Sequence, residues 1–331
     1  MNNKYIKIPF VLVLGIAIGF LTSRLFLFSK TTDDSIVEKN TVIADTLKSD
    51  VIYEVFQPYI PEELTFCGEK VPLENFDVHE SLDFEIIANT YRHSSTLLYI
   101  KRANRYFPEI EKILKANNIP DDMKYLCVAE SGLSNAISPS GATGFWQIMK
   151  ATGEEYKLTI NKSIDERYNQ AKSLSVAIKY LKSAYKKFGS WTLAAASYNM
   201  GQGGLKKNID HQRINSYWDL HLNTETARYV YRILALKLIM SQPEKYGFNI
   251  SKEHLYAEIP TYEVTVDTTV DDLVKFAFNN KVNYKILKYF NPWLRADNLV
   301  IHGNQEYKIT LPKSGVRKCE IPKEEEEKAE N

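Results

Sequence analysis

The stretch PDDMKYLCVAESGLSNAISPSGATGFWQ, from Pro120 to Gln147, predicts a short helix that carries a glutamate near its end. The Pro-Asp pair at its start is typical of the first turn of a helix. Apolar residues then recur at the spacing of a buried helix face, namely Met123, Leu126 and Cys127. Glu130 follows on the same face, and Gly132 with the polar run after it ends the helix. The sequence therefore places one carboxyl group on an apolar surface in a last helical turn.

This position disfavours the charged form of Glu130. Burial raises the pKa of a carboxyl group, and the unpaired carbonyl groups of a last helical turn repel negative charge. A carboxyl group that stays protonated near neutral pH can give its proton to a leaving oxygen, as the acid of a glycosidase does. The alternative is a glutamate that only caps or solvates a helix end, since acids are rarely buried without a partner.

A loop of small residues follows Glu130 and favours a ligand site. Its members are Ser138, Pro139, Gly141, Ala142 and Gly144. Small side chains let the backbone approach a ligand closely. Trp146 and Gln147 come directly after the loop and offer a flat ring and an amide, which suit a sugar.

Four short blocks follow one another along the chain. They are AESGLSN with Glu130-Ser131, the loop SPSGATGFWQ ending at Gln147, SYNMG from Ser197 to Gly201, and ETARYV from Glu225 to Val230. In this order they resemble the lytic transglycosylases of the soluble-lytic-transglycosylase superfamily, and more closely the membrane-bound murein transglycosylase D branch. The segment Asp165-Glu166-Arg167 resembles the DER segment of that branch. The resemblance covers residues 90–240 and implies a lysozyme-like helical domain.

The resemblance also implies a substrate, the glycan strands of peptidoglycan, and a reaction. The bond between N-acetylmuramic acid and N-acetylglucosamine would be cleaved without water, leaving a 1,6-anhydromuramoyl end. Glu130 would first protonate the glycosidic oxygen and then, as a carboxylate, take the proton of the muramoyl C6 hydroxyl. Because that hydroxyl attacks within its own sugar, its effective concentration is high and a second catalytic carboxylate is dispensable.

Seven residues of the matching blocks form the predicted substrate-binding set: Ser131, Ser138, Trp146, Gln147, Tyr198, Asn199 and Tyr229. By the resemblance, Ser138 and Gln147 would contact the sugar beside the acid. Tyr198 and Asn199 would form the floor of a groove, and Tyr229 would hydrogen-bond near the acid or the muramoyl N-acetyl group. The chain has 21 tyrosines, so the alternative for Tyr198 and for Tyr229 is a place in the core.

Two other functions stay open at this point. The first is a hydrolytic muramidase acting on the same bond, for which a second acid such as Asp165, Glu166 or Glu225 would have to reach the anomeric carbon. The second is a non-catalytic cell-wall protein that grips glycan without cutting it. A pure binder has no need of a carboxyl group on an apolar face, and Glu130 therefore disfavours this second alternative.

Composition excludes several other classes of function. The 331 residues carry 42 basic and 41 acidic side chains, so no excess of positive charge points to a nucleic-acid partner. The six histidines show no metal-ligand spacing with each other or with cysteines, and neither a metal nor another cofactor is predicted. Three cysteines are too few for a disulfide framework. A bridge between Cys67 and Cys319 is conceivable, but no pattern supports it.

The N-terminus predicts export. Two lysines precede the apolar run IPFVLVLGIAIGFL, which continues beyond Arg24 as LFLF. Ile8–Leu21 has the length of a signal peptide, whereas residues 8–28 together give roughly twenty residues, enough to cross a bilayer. No small-x-small cleavage site and no cysteine for lipidation follow, which favours a membrane anchor with the remaining chain in the periplasm. A cleaved signal peptide and a buried core helix are the alternatives.

The rest of the chain divides into four predicted parts. Residues 29–58 are a polar tether, residues 59–250 the helical domain, residues 260–313 a small second module, and residues 320–331 an acidic disordered tail. Within the helical domain one helix buries a stripe before Gly189 ends it: Leu174, Ala177, Ile178, Leu181, Ala184, Tyr185 and Phe188. An alanine-rich helix then presents Tyr198-Asn199, and a helix from Thr224 to Met240 is predicted with Thr224 as its cap.

The second module has the order strand, helix, helix, strand. TYEVTV and EYKITLP alternate like strands, and VDDLVKFAFNN and YKILKYF between them have the pattern of short helices. This βααβ order resembles a LysM domain, which implies glycan binding. Asp267-Thr268-Thr269 replaces the usual Gly-Asp after the first strand, and the loop before the last strand is long, so the resemblance supports the fold more than the binding.

Overall fold

Ten α-helices and two antiparallel strand pairs make up residues 55–322, the part of the chain that the computed structural model describes. The strands are β1 (Thr65–Phe66), β2 (Glu69–Lys70), β3 (Thr261–Val266) and β4 (Tyr307–Pro312). The helices are α1 (Phe76–Thr90), α2 (His93–Ala116), α3 (Lys124–Ser131), α4 (Lys150–Glu155), α5 (Gln170–Phe188), α6 (Trp191–Met200), α7 (Gln202–Gln212), α8 (Thr224–Ser241), α9 (Leu273–Asn279) and α10 (Tyr284–Phe290). The predicted fold, mainly helical with a small βααβ module, is confirmed.

Helix α8 is the central element of the helical domain. It packs against α1, α3 and α6, and apolar side chains on most of its circumference are buried, as expected of a helix in the middle of a core. The helix begins at Thr224 as predicted, but its cap is Asn223, whose side chain accepts a hydrogen bond from the Thr226 backbone N–H. The prediction of Thr224 as the cap was therefore wrong by one residue.

Helix α5 buries the predicted stripe with one exception. Leu174, Ala177, Ile178, Leu181, Ala184 and Phe188 are buried, and Gly189 ends the helix in the left-handed conformation. Tyr185 is 40% exposed and stacks its ring on Trp191 at a centroid distance of 4.2 Å. The prediction of Tyr185 as a core residue was wrong, because an aromatic side chain at the edge of the stripe packs on the neighbouring helix start.

The N-terminus of helix α6 is bound by the carboxylate of Glu69, which is distant in sequence. Glu69 of β2 accepts hydrogen bonds from the Thr192 backbone N–H at 3.0 Å, the Thr192 hydroxyl at 2.6 Å and the Ser190 hydroxyl at 2.8 Å. A carboxylate at this end satisfies unpaired N–H groups and complements the helix dipole. The other end of α6 presents Tyr198 and Asn199.

The C-terminal module consists of β3, α9, α10 and β4, with β3 and β4 paired antiparallel from Thr261–Pro312 to Val266–Tyr307. Its core contains Leu273, Leu287, Trp293, Leu294, Leu299, Ile309 and Leu311, and it also takes in Ile164 and Tyr168 of the helical domain. The module and the helical domain therefore share one apolar cluster.

Three predictions concern termini or cysteines. The export segment (1–28), most of the tether (29–58) and most of the acidic tail (320–331) lie outside the described residues. Between residues 55 and 322, no helix is long and apolar enough to span a membrane. Cys67, Cys127 and Cys319 are all free thiols, so the conceivable Cys67–Cys319 bridge is absent.

Candidate active site

Helix α3 holds Glu130 one residue before its end. A single turn of 3-10 helix, Asp121–Met123, leads into α3, and the predicted face of Met123, Leu126 and Cys127 is fully buried. Gly132 ends the helix with φ of 58°, and a Cβ atom on it would lie 2.2 Å from the Tyr99 ring. Only glycine suits both the left-handed conformation and this close approach. The turn after Glu130 is therefore fixed by local sequence and by packing.

Glu130 pairs with Tyr229. The Tyr229 hydroxyl, from the second turn of α8, donates a hydrogen bond to Oε1 of Glu130. Tyr229 is 2% exposed, whereas Glu130 keeps part of its surface open to solvent. Desolvation raises the pKa of Glu130 to about 7, and the Tyr229 hydrogen bond opposes this rise by stabilising the carboxylate. Both the acid and the carboxylate form are thus accessible near neutral pH, as a general acid and base requires.

Two further charges act on Glu130. The carboxylate of Glu225 raises its pKa, and the Arg232 guanidinium lowers it. The Nε of Arg232 lies 3.7 Å from Oε2 of Glu85, a fully buried carboxylate on α1. Oε1 of Glu85 also pairs with the Nε of Arg228 at 2.6 Å. The negative charge of Glu85 therefore offsets part of the positive charge of Arg232, whose side chain is partly exposed. The site therefore extends beyond the predicted residues to α1 and the middle of α8.

The sequence analysis missed Glu85, although a signal for it exists. Helix α1 buries Val78, Leu82 and Ile86, and Glu85 and Asn89 lie on that same face. A glutamate within an apolar helical stripe is the very pattern that singled out Glu130. The partners of Glu85 come from α8, far away in sequence, so the pattern alone could not show what it pairs with.

Ser131 links the end of α3 to the loop of small residues. Its hydroxyl donates to the Phe145 carbonyl at 2.8 Å and accepts from the Ser134 backbone N–H at 3.3 Å. Cys127, one turn earlier, donates its thiol to the same Phe145 carbonyl at 3.3 Å. Ser131 was predicted to bind substrate, but here its hydroxyl is engaged within the protein and holds the loop against the helix.

The loop closes on itself around Ser138. The Ser138 Oγ accepts a hydrogen bond from the Ala142 backbone N–H at 3.0 Å and shares a second with the Ser140 hydroxyl at 3.0 Å. Thr143 and Ile148 exchange two backbone hydrogen bonds of 3.1 and 3.0 Å. Ser138 stays half-buried at the surface, where a ligand can reach it.

Gln147 and Trp146 occupy different positions from each other. Gln147 is half-buried, and its amide nitrogen donates to the carbonyl groups of Ala136 at 3.0 Å and Gly144 at 2.8 Å. Both amide protons are used, so a sugar contact would have to come from its Oε1. Trp146 is only 1% exposed and belongs to the helical core. The ring of Trp146 is therefore not presented to solvent, and a direct sugar contact does not fit this position.

Tyr198 and Asn199 stand at the end of α6 and are half-buried. The Tyr198 hydroxyl donates to the Trp146 carbonyl at 2.8 Å, and its ring packs edge-on against Tyr180 at 5.2 Å. Asn199 accepts from the Thr226 hydroxyl at 2.7 Å and donates to Glu225 at 3.1 Å. The predicted groove-floor pair thus connects the loop to the start of α8.

The three candidate second acids have different environments. Asp165 pairs with Arg167 through bonds of 2.9 and 2.7 Å, and both residues are buried. Glu166, also buried, accepts from the Thr159 backbone N–H at 2.8 Å and pairs with Lys172. Glu225 is exposed, next to Asn199. Of the three, only Glu225 lies at the surface and acts on the pKa of Glu130.

Between residues 55 and 322, no group of three or more histidine, cysteine, aspartate or glutamate side chains is arranged to hold a metal ion.

Comparison with known proteins gives two domain matches. Residues 107–220 match the family described as Transglycosylase SLT domain, and residues 262–315 match the Soluble lytic transglycosylase C-terminal LysM-like domain. The first range contains Glu130, the loop, Tyr198 and Asn199, whereas Tyr229 follows it.

The curated relatives are distant. Over 257 residues the chain is 27% identical to "Membrane-bound lytic murein transglycosylase D" of Escherichia coli strain K12, an alignment that covers 75% of this chain and 55% of that protein. The protein of the same name from Escherichia coli O6:H1 strain CFT073 gives the same figures. The chain therefore spans about half the length of the curated relatives it matches.

Proposed function

Since the chain contains an SLT transglycosylase domain followed by a LysM-like domain, we propose that it is a lytic transglycosylase of peptidoglycan. It cleaves the bond between N-acetylmuramic acid and N-acetylglucosamine and leaves a 1,6-anhydromuramoyl end. The observation that carries this proposal is the carboxyl group of Glu130, which has a pKa of about 7 and a hydrogen bond from Tyr229.

Glu130 performs both proton transfers in this proposal. Protonated, it gives its proton to the glycosidic oxygen, and as a carboxylate it takes the proton of the C6 hydroxyl that attacks the anomeric carbon. A pKa near the working pH keeps both forms accessible, which is the condition for one group to act as acid and base. The Tyr229 hydrogen bond stabilises the carboxylate that forms after the first transfer. The chain's residues thus support both steps without an activated water.

The engagement of Asp165 and Glu166 favours this reaction over hydrolysis. Both carboxylates are buried and bound to cations and backbone groups, so neither is available to activate a water molecule. A hydrolytic muramidase would need Glu225, which is exposed and held by Asn199. Hydrolysis through Glu225 is therefore the second candidate function, and the experiment below separates the two.

The sugar binds, we infer, across the surface between Ser138 and Asn199. Ser138 and the Oε1 of Gln147 serve the sugar beside Glu130, and Tyr198 and Asn199 form the floor. Tyr229 hydrogen-bonds to the acid. Ser131 and Trp146 connect the loop to α3 and α6 and so support the site without touching the sugar. A non-catalytic binder is disfavoured because it gains nothing from a desolvated carboxyl group. Desolvation destabilises the carboxylate, and a binding protein has no use for that cost.

Two aspects of the protein's setting follow from its relatives. The name of the Escherichia coli protein describes it as membrane-bound, and we propose a cell-envelope location for this chain, in the periplasm and attached to the membrane by residues 1–28 or exported after their removal. The LysM-like module holds glycan next to the site. Peptidoglycan glycan is thus the proposed partner of both domains.

The test is mass spectrometry of the fragments released from purified peptidoglycan by the full chain. Anhydromuramoyl products that disappear in Glu130→Gln and persist in the exposed control Glu109→Gln are expected. Reducing muramoyl ends that disappear in Glu225→Gln would establish the hydrolase instead. Firm sedimentation with peptidoglycan but no released fragment from the parent protein would leave only the binding protein.

A further inference from the structure

We propose that Arg167 is a positioning residue that connects the seating of the LysM-like module to the loop of residues 138–148. The module then acts as a structural support of the sugar-binding loop and not only as a separate glycan-binding unit. The kinetic consequence of this proposal rests on the proposed function, whereas its structural consequence does not.

The Arg167 guanidinium binds the loop at two positions, one inside it and one at its C-terminal end. It donates to the Gly141 carbonyl at 3.0 Å and to the Ile148 carbonyl at 3.3 Å. Its remaining donors form the pair with Asp165, and both side chains are nine-tenths buried. The planar guanidinium reaches all these acceptors at once, which a lysine ammonium cannot do. One side chain therefore connects the carbonyl groups of Gly141 and Ile148.

The backbone of Arg167 lies against the loop as well. Gly144, in the middle of the loop, has φ of 83°, and a Cβ atom on it would lie 2.2 Å from the Arg167 carbonyl oxygen. The loop thus rests directly on the chain segment that carries Arg167. Side chain and backbone of the same residue both determine where the loop lies.

The LysM-like module binds the same segment from the other side. The Asp165 backbone N–H donates to the Trp293 carbonyl at 2.9 Å, and the Arg295 N–H donates to the Ser163 carbonyl at 2.8 Å. These bonds flank a bridge between Ile164 and Leu294, which extends the backbone pairing across the junction. Alternating bonds of this kind fix the register of the segment against the module.

Side chains strengthen this junction. Ile164 is 4% exposed and Tyr168 is 7% exposed, and both pack in the apolar cluster of the module and not in that of the helical domain. The Arg295 guanidinium lies over the Tyr168 ring at 4.6 Å. The module therefore contacts residues 163–168 on one side, and residues 159–161 of the helical domain pair with the same segment, while Arg167 within it points to the loop.

A second junction keeps the module from turning about this one. Residues 251–259, which connect the helical domain to the module, run along α2. There the Tyr256 N–H donates to the Lys101 carbonyl at 3.2 Å, and the Arg105 side chain donates to the Ala257 carbonyl at 2.9 Å. Arg105 also contacts the Tyr289 hydroxyl of α10 at 3.4 Å. Two separated contacts hold the module in one orientation, so that its seating is transmitted through Asp165 and Arg167.

The experiment is hydrogen exchange of the full chain, read by mass spectrometry, for the parent, Arg167→Lys and Ile164→Ala. We expect exchange across residues 138–148 to accelerate about tenfold in both variants, which corresponds to about 1.4 kcal/mol. Exchange across α6 stays at the parent rate and serves as the internal reference. The matched control is Val274→Ala, which removes methyl groups from a side chain that is 38% exposed on α9.

A second measurement on Arg167→Lys is its turnover of soluble uncrosslinked glycan. A positioning role predicts that Arg167→Lys raises KM by about tenfold and leaves kcat within about twofold, because Glu130 and Tyr229 are untouched. A general loss of folded protein would lower the active fraction and leave KM unchanged.

Each outcome bears on the proposal. If Ile164→Ala loosens the module while residues 138–148 keep the parent exchange rate, the coupling does not exist. Unchanged loop exchange in Arg167→Lys would overturn the role of Arg167. If the parent protein turns over no glycan, the proposed function fails, while the exchange comparison still decides the proposal made here.

Discussion

Tyr229 donates its phenolic hydrogen bond to Oε1 of Glu130 from the second turn of α8, the helix that packs against α1, α3 and α6. The two residues act on each other in opposite senses. Burial, and after it the negative charge of Glu130, raise the pKa of the tyrosine well above its ordinary value, so the phenol stays a donor. The donated bond lowers the pKa of Glu130 and keeps its carboxylate accessible. Desolvation and this hydrogen bond are thus the two largest influences on the pKa of Glu130.

Tyr229→Phe removes this hydrogen bond and leaves the ring in place. Because the bond stabilises the carboxylate, its loss raises the pKa of Glu130 above about 7. We expect the alkaline limb of the pH–rate profile to move to higher pH. We also expect kcat to fall by about tenfold or more, since a charge-assisted hydrogen bond contributes roughly 1.5–3 kcal/mol.

The measurement is the pH dependence of kcat on soluble glycan, with Tyr198→Phe as the matched control. That variant also loses one tyrosine hydroxyl, which donates to the Trp146 carbonyl in the parent. The hydrogen bond from Tyr229 to Glu130 remains in it. An alkaline limb at the parent position in Tyr229→Phe would show that the hydrogen bond does not set the acidity of Glu130.

Glu225→Gln has the opposite effect on acidity. The negative charge of Glu225 raises the pKa of Glu130, so its removal lowers that pKa and moves the alkaline limb to lower pH. Because Glu225 is exposed, salt screens its effect, and the displacement should shrink at high ionic strength. Rates at the acidic side of the profile should remain near those of the parent. A collapse of turnover at every pH would instead assign Glu225 a catalytic role.

The predictable part of the site is the part encoded locally. The position of Glu130 follows from the spacing of Met123, Leu126 and Cys127 and from the glycine that ends the helix. The end of α5 at Gly189 and the βααβ order of the module follow from the same kind of local pattern. In each case one glycine, or one apolar period, fixes the element irrespective of its partners.

The remaining part depends on tertiary contacts that no local pattern carries. Trp146 follows a glycine-rich loop and was predicted to face sugar, yet its ring lies in the core. Asp165 was considered as a second acid, but the fold pairs it with Arg167 and with the LysM-like module. Glu85 and Arg232 come together only because α1 packs on α8. Side chains of these types are equally at home in a site, a core or an ion pair.

Glu130→Gln should stabilise the protein at alkaline pH. The carboxyl group has a pKa of about 7 in the folded chain and an ordinary value of 4.5, so its neutral form is favoured by folding. That contribution is complete below pH 4.5 and is lost as the pH rises through 7. The variant and the parent should therefore match at pH 4, diverge as the pH rises from 4.5 to 7, and differ by as much as about 3 kcal/mol above pH 7, where the parent carries a buried charge that glutamine lacks.

Denaturant unfolding at pH 4 and pH 8.5 measures this difference, with Glu109→Gln as the control on an exposed helix surface. The control should show the same small change at both pH values. If Glu130→Gln were no more stable than the parent at pH 8.5, the carboxyl group would not be desolvated in the folded chain.

Gly144→Ala tests how closely the loop rests on the segment of Arg167. Gly144 and Gly141 have φ of 83° and 84°, so alanine suffers the same backbone strain of roughly 1–2 kcal/mol at either position. They differ in what the new methyl group meets. At Gly144 it would lie 2.2 Å from the Arg167 carbonyl oxygen, whereas nothing lies within 4 Å of it at Gly141.

We therefore expect Gly144→Ala to lower the free energy of unfolding clearly more than Gly141→Ala, and to weaken glycan binding as the loop moves away from Glu130. Urea unfolding and the KM for soluble glycan, measured on both variants, give the comparison. Equal losses in the two variants would mean that strain alone acts and that the loop yields without cost. In that event the contact with Arg167 would not fix the position of the loop, which would have to come from the hydrogen bond of Ser131 at the end of α3.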